Sequence, residues 1–526
     1  MQAGSSHHLQ TNAKYRNPIM TGIYDILIIG SGFSGLAMGH RLLQEGRRDF
    51  LILERDGQLG GTWRDNRYPG CACDVPSHLY SLSGFPKPDW PRRYATHDQI
   101  WHYLEHLGQA LLTHLRFGAE VQEARFNESD ACWHVLLAGG ETLRARILVA
   151  GLGPLNRPAL PDIAGLDRFA GPCFHTMHWP RELSLEGRRV AIIGTGASAI
   201  QIVSAIASRV SHLTVFQRSA PWVVPKGDRP YTALAQQAFR RIPGWQRLYR
   251  AQLYAFQELR GLAFLYPALM RVVAHFAKRR LARTIPDPTL RTQLTPTHVM
   301  GCKRILLSDD YHDTLQRPNV TLVTDPLRQV TPEGLITEGG QVHAADVLVL
   351  ATGYQHALIP ESPRIHGQGG VTLQELWAGR RSAYLGTAVA RMPNFFLLGG
   401  PNTGLGHNSV LFMMEAQVHW ILQALKAMDR AGARTLCVSD ASYRHMETEM
   451  SRRSRSTVWQ SGCRSWYLDA QGANTALWPG LSAEFWLRTR RFNSRHFILE
   501  THDRPIATDP GRYCAGPPPA ASGPHG

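Results

Sequence analysis

No stretch of this 526-residue chain approaches the roughly 18 consecutive apolar residues that a membrane-spanning helix needs. The N-terminus, MQAGSSHHLQTNAKYRNPIMTG, lacks the continuous apolar segment of a secretion signal. Spanning and secretion are both disfavoured, and a cytoplasmic location is expected. Cysteine is sparse: the 8 residues are scattered, without the regular spacing of a small disulfide scaffold, which fits a reducing compartment. Cys71 and Cys73 form C-x-C rather than the C-x-x-C of a thiol relay, so no redox disulfide is expected. His7 and His8 have no companion ligands, and no metal is expected.

Nor is the composition that of a disordered chain, with 43% hydrophobic and 19% charged residues. The length exceeds one ordinary core and implies two or three units that each bury their own apolar surface. Acidic residues are in deficit: 57 Lys and Arg against 41 Asp and Glu give a formal charge of +16, which suits anionic partners. No nucleic-acid recognition motif accompanies the charge, so nucleic acid is not an expected partner and a basic solvated surface accounts for most of the excess.

What the chain does contain is one device used twice. A short apolar strand, Ile26 to Ile29, runs into Gly30-Ser31-Gly32-Phe33-Ser34-Gly35, then a helical stretch, then Phe50-Leu51-Ile52-Leu53-Glu54. The second copy has Val190 to Ile193, the loop Gly194-Thr195-Gly196-Ala197-Ser198-Ala199, a helix, and a returning strand that ends in Gln217-Arg218-Ser219. A dinucleotide pyrophosphate needs close backbone approach, which glycine permits, and helix N-terminal N–H groups to receive its charge. Glu54 stands where a carboxylate accepts hydrogen bonds from ribose hydroxyls. In the second copy Arg218 takes that place, and a guanidinium pairs with the 2′-phosphate that a carboxylate would repel, so NADPH is expected over NADH.

Between Arg229 and Pro286 the pattern turns helical and basic, with Arg271, Lys278, Arg279, Arg280 and Arg283 among apolar residues. Two readings compete there, a helix lying on a membrane surface and a solvated helical insertion. Pro267 interrupts the pattern, and the solvated insertion is the expectation. A further strand is expected from Asp346 to Leu350, a long apolar helix from Ser409 to about Met428, and a disordered tail over 511–526.

The segment between the two copies, Phe169-Ala-Gly171-Pro-Cys-Phe-His175-Thr-Met-His-Trp179-Pro180, reads F-x-G-x-x-x-H-x-x-x-W-P and resembles the fingerprint of type I Baeyer–Villiger monooxygenases. Gly60-Gly61-Thr62-Trp63, Arg67 to Gly70 and Cys73-Asp74-Val75 resemble the family's second flavin-contact stretch. Asp346 through Tyr354 resembles the return strand of the FAD domain. Gly301-Cys302-Lys303-Arg304 resembles the segment carrying the active-site arginine, and Trp466-Tyr467 an aromatic pair near the nicotinamide.

The resemblance implies an α/β fold with two Rossmann-like dinucleotide-binding domains, the NADPH domain inserted into the FAD domain. The expected division is a flexible arm over 1–22, the FAD domain over 23–165 and 346–510, and the NADPH domain over 166–345, which includes the helical insertion of 229–286. FAD would be held by Gly30, Gly32, Phe33, Ser34, Gly35, Glu54, Gly61, Thr62, Trp63, Asp74, Val75, Tyr80 and Val121. NADPH would be held by Gly194, Thr195, Gly196, Ser198, Gln201, Arg218, Ser219, Lys303 and Trp466. Phe169, Gly171, His175, Trp179 and Pro180 would serve domain movement.

The implied reaction is insertion of one oxygen atom of O2 beside a ketone carbonyl through a C4a-peroxyflavin. Arg304 would stabilise the anionic oxygen species and Asp74 would orient it. His407, in the loop Gly400 to Ser409 before the long helix, is expected to line the pocket rather than act as a base. The substrate would be a small ketone or another lipophilic molecule, with the oligomeric state left open. Oxidation of nitrogen or sulfur, and NADPH sensing without productive oxygenation, stay open as other readings.

Overall fold

The computed structural model describes residues 22–355 and 363–501; the N-terminal arm, His7, His8 and the 511–526 tail lie outside the described residues. Strand Tyr24–Ile29 lies inside the first sheet. It pairs in parallel with Phe50–Leu53, setting Ile26 opposite Phe50, and on its other edge with Thr142–Ala150. Because the strand is covered on both faces, it reads as an unbroken apolar run rather than an alternating one. Ile26 and Ile28 pack into one core, where helices Phe33–Gln44 and Val410–Ala431 lie, and Leu27 and Ile29 into the core on the other side. Beyond Thr142–Ala150 come the antiparallel strands Cys132–Leu137 and Val121–Asn127, and then Arg364–His366.

The second sheet is wholly parallel, in the order Val320–Val323, His212–Phe216, Arg189–Ile193, Val347–Leu350, Cys173–His175. This corrects one expectation. Val347–Leu350 does not return to the FAD-type sheet; it lies between Arg189–Ile193 and Cys173–His175, with Leu350 opposite both Ile193 and His175. The strand added to the first sheet is Phe395–Leu397, paired with Thr142–Ala150. The two folds use equivalent parts. Thr142–Ala150 ends at Gly151, whose carbonyl oxygen lies 2.7 Å from where a Cβ on Gly30 would be; Val347–Leu350 ends at Ala351, whose carbonyl stands 2.4 Å from a Cβ on Gly194. An apolar run ending in a small residue suits either place, so the pattern alone does not choose the sheet.

The helical insertion consists of Ala233–Arg241, Trp245–Leu265 and Pro267–Thr284. Pro267 opens the third helix, where its missing N–H removes no intrahelical bond. The insertion is fastened by Glu258, the one acidic residue between 229 and 286. Its carboxylate accepts from Ser482 Oγ at 2.5 Å, Asn408 Nδ2 at 2.9 Å, the Ala483 N–H at 3.2 Å and His407 Nε2 at 3.2 Å. Burial alone would push this carboxyl up, but the bonds from His407, Ser482 and Asn408 overcome it and hold it at about 2, against an ordinary 4.5.

The folded group therefore binds its proton less readily than the unfolded one. Its contribution, on the order of 3 kcal/mol, is complete above the unfolded value and is lost as pH falls from about 4.5 towards about 2. Urea unfolding of wild type and Glu258→Gln from neutral pH down through that range should show a large stability gap near neutrality that closes in acid. A gap that does not change with pH would refute the assignment.

Candidate active site

Both glycine loops sit at the C-terminal ends of parallel strands, and they open into one cleft of 1420 Å3. That exceeds the usual range of about 300–1,000 Å3 for a single small-molecule site. At the first loop, Gly30 has φ +98°, a conformation that favours glycine. Helix Phe33–Gln44 begins at Gly32 and helix Ala197–Ile206 at Gly196; no side chain caps either, and neither has an acid in its first turn. Two uncapped helix N-termini thus face the cleft, which fits two pyrophosphates.

Glu54 is 5% exposed and does two things. Its Oε2 accepts from the Ser31 N–H at 3.0 Å and Ser31 Oγ at 2.6 Å, closing the first loop onto the end of the second strand. Its Oε1 takes Arg64 Nη1 at 3.2 Å and the Asp56 N–H at 3.1 Å. Sequence reasoning missed Arg64, a buried guanidinium that also pairs with Asp56 at 2.6 Å and Asp65 at 2.7 Å. Three acids within eleven residues of one arginine were the available signal.

Of the residues expected at the first nucleotide, Gly30, Gly32, Phe33, Ser34, Glu54, Gly61, Thr62, Trp63, Asp74, Val75, Tyr80 and Val121 all line the cleft. Gly35 does not; it lies against the Gly30 carbonyl behind the loop. All nine residues expected at the second nucleotide line the same cleft. Lys303 Nζ reaches Ser219 Oγ at 3.5 Å, and its pKa falls through burial and then through the neighbouring Arg218. Among the described residues neither cation has an acidic partner, a pairing that suits a phosphate. Gln201 is a bridge as well: its amide donates to the Ala72 carbonyl at 2.9 Å and accepts from Tyr68 Oη at 3.2 Å, tying the second unit to the first.

Arg304 and Asp74 meet across 230 residues, with Nη2 at 2.5 Å and Nε at 3.1 Å from the same Oδ2. Burial would raise the Asp74 carboxyl, but the Arg304 charge and then Lys226 outweigh it and hold it below the ordinary range. Arg304 is pushed up in turn, chiefly by Asp74. It stays a cation, and its side chain remains 40% exposed to the cleft.

Cys71 and Cys73 are both free thiols. A disulfide that the sequence does not announce joins Cys302 to Cys463, with Cα atoms 6.2 Å apart, and ties the Lys303-Arg304 segment to the one carrying Trp466 and Tyr467. A separation of 161 residues leaves no local spacing to read. His407 is a second correction. It is not among the lining residues, unlike Gly404, Leu405 and Asn408, but sits behind them on Glu258.

The fingerprint residues lie outside the cleft. His175 is 3% exposed; its Nε2 meets the Gly353 carbonyl at 2.8 Å and its Nδ1 accepts from the Met177 N–H at 3.2 Å. Burial lowers its pKa, as suits a neutral ring with one donor and one acceptor. Gly353 also accepts from the Ala159 N–H at 2.9 Å, and Gln355 donates to the Arg157 carbonyl at 2.9 Å, so the two crossings between units run side by side under His175. Phe169 is buried in the second sheet's core, Gly171 passes the Asp346 carbonyl, and Trp179 stacks edge-on to Phe174 at 5.1 Å beside the exposed Pro180.

Comparison with known proteins agrees with this geometry. A model of the NAD(P)-binding Rossmann-like domain matches residues 28–105, and one of L-lysine 6-monooxygenase/L-ornithine 5-monooxygenase matches residues 91–233. A steroid monooxygenase bound to NADP superposes with a TM-score of 0.82 at 30% identity, over 91% of this chain and 100% of that one. OTEMO in complex with FAD and NADP gives 0.81 at 27% identity, over 90% and 99%. A Baeyer–Villiger monooxygenase of Streptomyces coelicolor is 44% identical over 471 residues, which cover 89% of this chain and 91% of that one. At that identity over nearly the whole length of both chains, the chain belongs to the Baeyer–Villiger monooxygenase family.

Proposed function

We propose that the protein is an NADPH- and FAD-dependent monooxygenase that inserts one oxygen atom of O2 beside the carbonyl of a small lipophilic ketone, giving an ester or lactone. The observation that carries this reading is the Arg304–Asp74 pair in the same cleft as both glycine loops. Gly30 to Gly35 and Glu54 would hold FAD; Gly194 to Ser198, Arg218, Ser219 and Lys303 would hold NADPH with its 2′-phosphate. When bound, the nicotinamide supplies hydride and the flavin activates oxygen.

The chain's own residues do the rest. Asp74 takes two of the Arg304 donors and fixes the guanidinium plane; no other hydrogen bond is made by that side chain among the described residues, so its remaining N–H groups would be available to negative charge that develops on oxygen in the cleft. His175 would hold the paired crossings as the two units move. The two domains would then divide beyond Val347–Leu350, with the second unit inserted into the first and the enzyme working in the cytoplasm, where NADPH is kept available.

The match of residues 91–233 to the lysine and ornithine monooxygenase model favours one second reading, oxidation at nitrogen. Supplying NADPH and oxygen with a panel of cyclic and linear ketones, thioethers and amines separates the two. Esters or lactones are expected, with slower turnover when NADH replaces NADPH. Sulfoxides or hydroxylamines without any ester would sink the ketone assignment, and recovery of all the oxygen as hydrogen peroxide would sink productive oxygenation altogether.

A further inference from the structure

The helical insertion exposes apolar surface where a solvated insertion would hide it. Of the 21 large apolar side chains exposed among the described residues, 11 lie between Leu234 and Phe276. On helix Trp245–Leu265 the positions 245, 248, 256 and 259 fall within about a fifth of a turn, so Trp245, Leu248, Phe256 and Leu259 form one stripe. On helix Pro267–Thr284, Leu269, Val272, Val273 and Phe276 form another at helical spacing, and the exposed Tyr266 stands where the two stripes meet. A concentration of this kind on one element marks an interaction surface rather than ordinary scatter.

Charge points to the occupant. Residues 229–286 hold eleven Lys and Arg and a single acid, Glu258, which is turned inward on His407, Asn408 and Ser482. The insertion thus supplies most of the chain's +16. The second stripe continues past Phe276 into Arg279, Arg280 and Arg283, again at spacings of three and four. These three arginines, Phe276 and Thr284 line a shallow pocket of 340 Å3. None of the three pairs with a carboxylate among the described residues. No described helix is long and apolar enough to cross a membrane.

We propose that this insertion docks on an anionic phospholipid surface: the two apolar stripes enter the acyl boundary, and Arg279, Arg280 and Arg283 take a lipid phosphate. The apolar stripes and the phosphate pocket are both needed, as for interfacial helices that combine buried apolar area with attraction to anionic lipid. A second copy of the chain would cover the apolar stripes but would bring the same cations against each other.

Sedimentation of the FAD-loaded full chain with vesicles tests this. Binding is expected to vesicles of phosphatidylcholine mixed with phosphatidylglycerol, and not to phosphatidylcholine alone. The triple variant R279E/R280E/R283E should partition roughly a hundredfold more weakly, about fivefold for each cation removed. Leu259→Ser with Phe276→Ser should weaken binding at least tenfold, with NADPH oxidation in vesicle-free buffer unchanged. No binding to anionic vesicles would overturn the proposal. So would binding indifferent to the Leu259 and Phe276 changes, which would be adsorption by net charge. A vesicle-free dimer that those two changes dissociate, without vesicle binding, would assign the face to a second copy and overturn it too.

Discussion

Arg304→Ala should reduce oxygenated product by about 10²–10³-fold, the usual cost of removing a preorganised donor from a site of developing negative charge. Asp74 then keeps a partly buried carboxylate whose chief counter-charge is gone, and burial opposes its ionisation with only Lys226 and a backbone hydrogen bond left against it. The cleft loses a fixed cation and gains a group that is anionic or protonated according to pH. The guanidinium is partly exposed and contributes no apolar packing to the five core clusters, so the fold should persist. Both dinucleotides should bind as in wild type, since the glycine loops, Glu54, Arg218 and Lys303 are untouched. Arg304→Lys is informative beside it: the charge stays, but one ammonium cannot make both the Nε and Nη2 contacts to Asp74, and partial activity is expected. Product yield per NADPH consumed, measured with cofactor dissociation constants, decides the matter. A variant that oxygenates ketones at the wild-type rate would remove Arg304 from the chemistry.

The parts legible in the sequence are those in which a local pattern has one structural outcome. A four-residue apolar run, a G-x-G-x-x-G turn and an uncapped helix can hardly fold otherwise, and both copies stand as read, with Glu54 and Arg218 on the respective strand ends. A pattern that serves two places is ambiguous. Val347–Leu350 is apolar, short and followed by Ala351-Thr352-Gly353, which suits a strand beside either glycine loop; only the hydrogen-bonding partners settle it. Long-range pairs carry no local signal: Cys302 meets Cys463 across 161 residues, and His407 of the Gly400 to Ser409 loop meets Glu258 of the helical insertion. Arg304 with Asp74 has the same remoteness, 230 residues, and only the resemblance of two short stretches to a family pairs them from sequence. Exposure was the least legible property, since the insertion's periodicity fixes which side chains share a face but not whether that face is covered.

Gly35→Ala should yield a protein that no longer retains flavin. Gly35 lies in the first turn of helix Phe33–Gln44, where an added Cβ would sit 1.9 Å from the Gly30 carbonyl oxygen and 3.1 Å from its carbon. Those are backbone atoms of the loop expected to cradle the pyrophosphate, so the methyl group cannot be accommodated by turning a side chain aside. Either the helix start lifts from the strand, or Gly30 moves; Gly30 is held by its N–H on the Leu53 carbonyl at 2.8 Å and stands close against Gly151. Overpacking of this kind costs about 1–3 kcal/mol or more, and here the whole displacement falls on the phosphate contacts. If that cost falls on flavin binding, the affinity loss is roughly 5- to 150-fold. Gly39→Ala, one turn further along the same helix, is the matched comparison: its Cβ would meet the Ile52 and Leu111 methyl groups at 3.0–3.3 Å, side-chain ends that can yield, and flavin should be kept. The ratio of flavin to protein absorbance after purification, together with a titration of FAD into the stripped protein, reads both variants. Wild-type flavin content in Gly35→Ala would mean that the loop Gly30 to Gly35 is not where FAD is held.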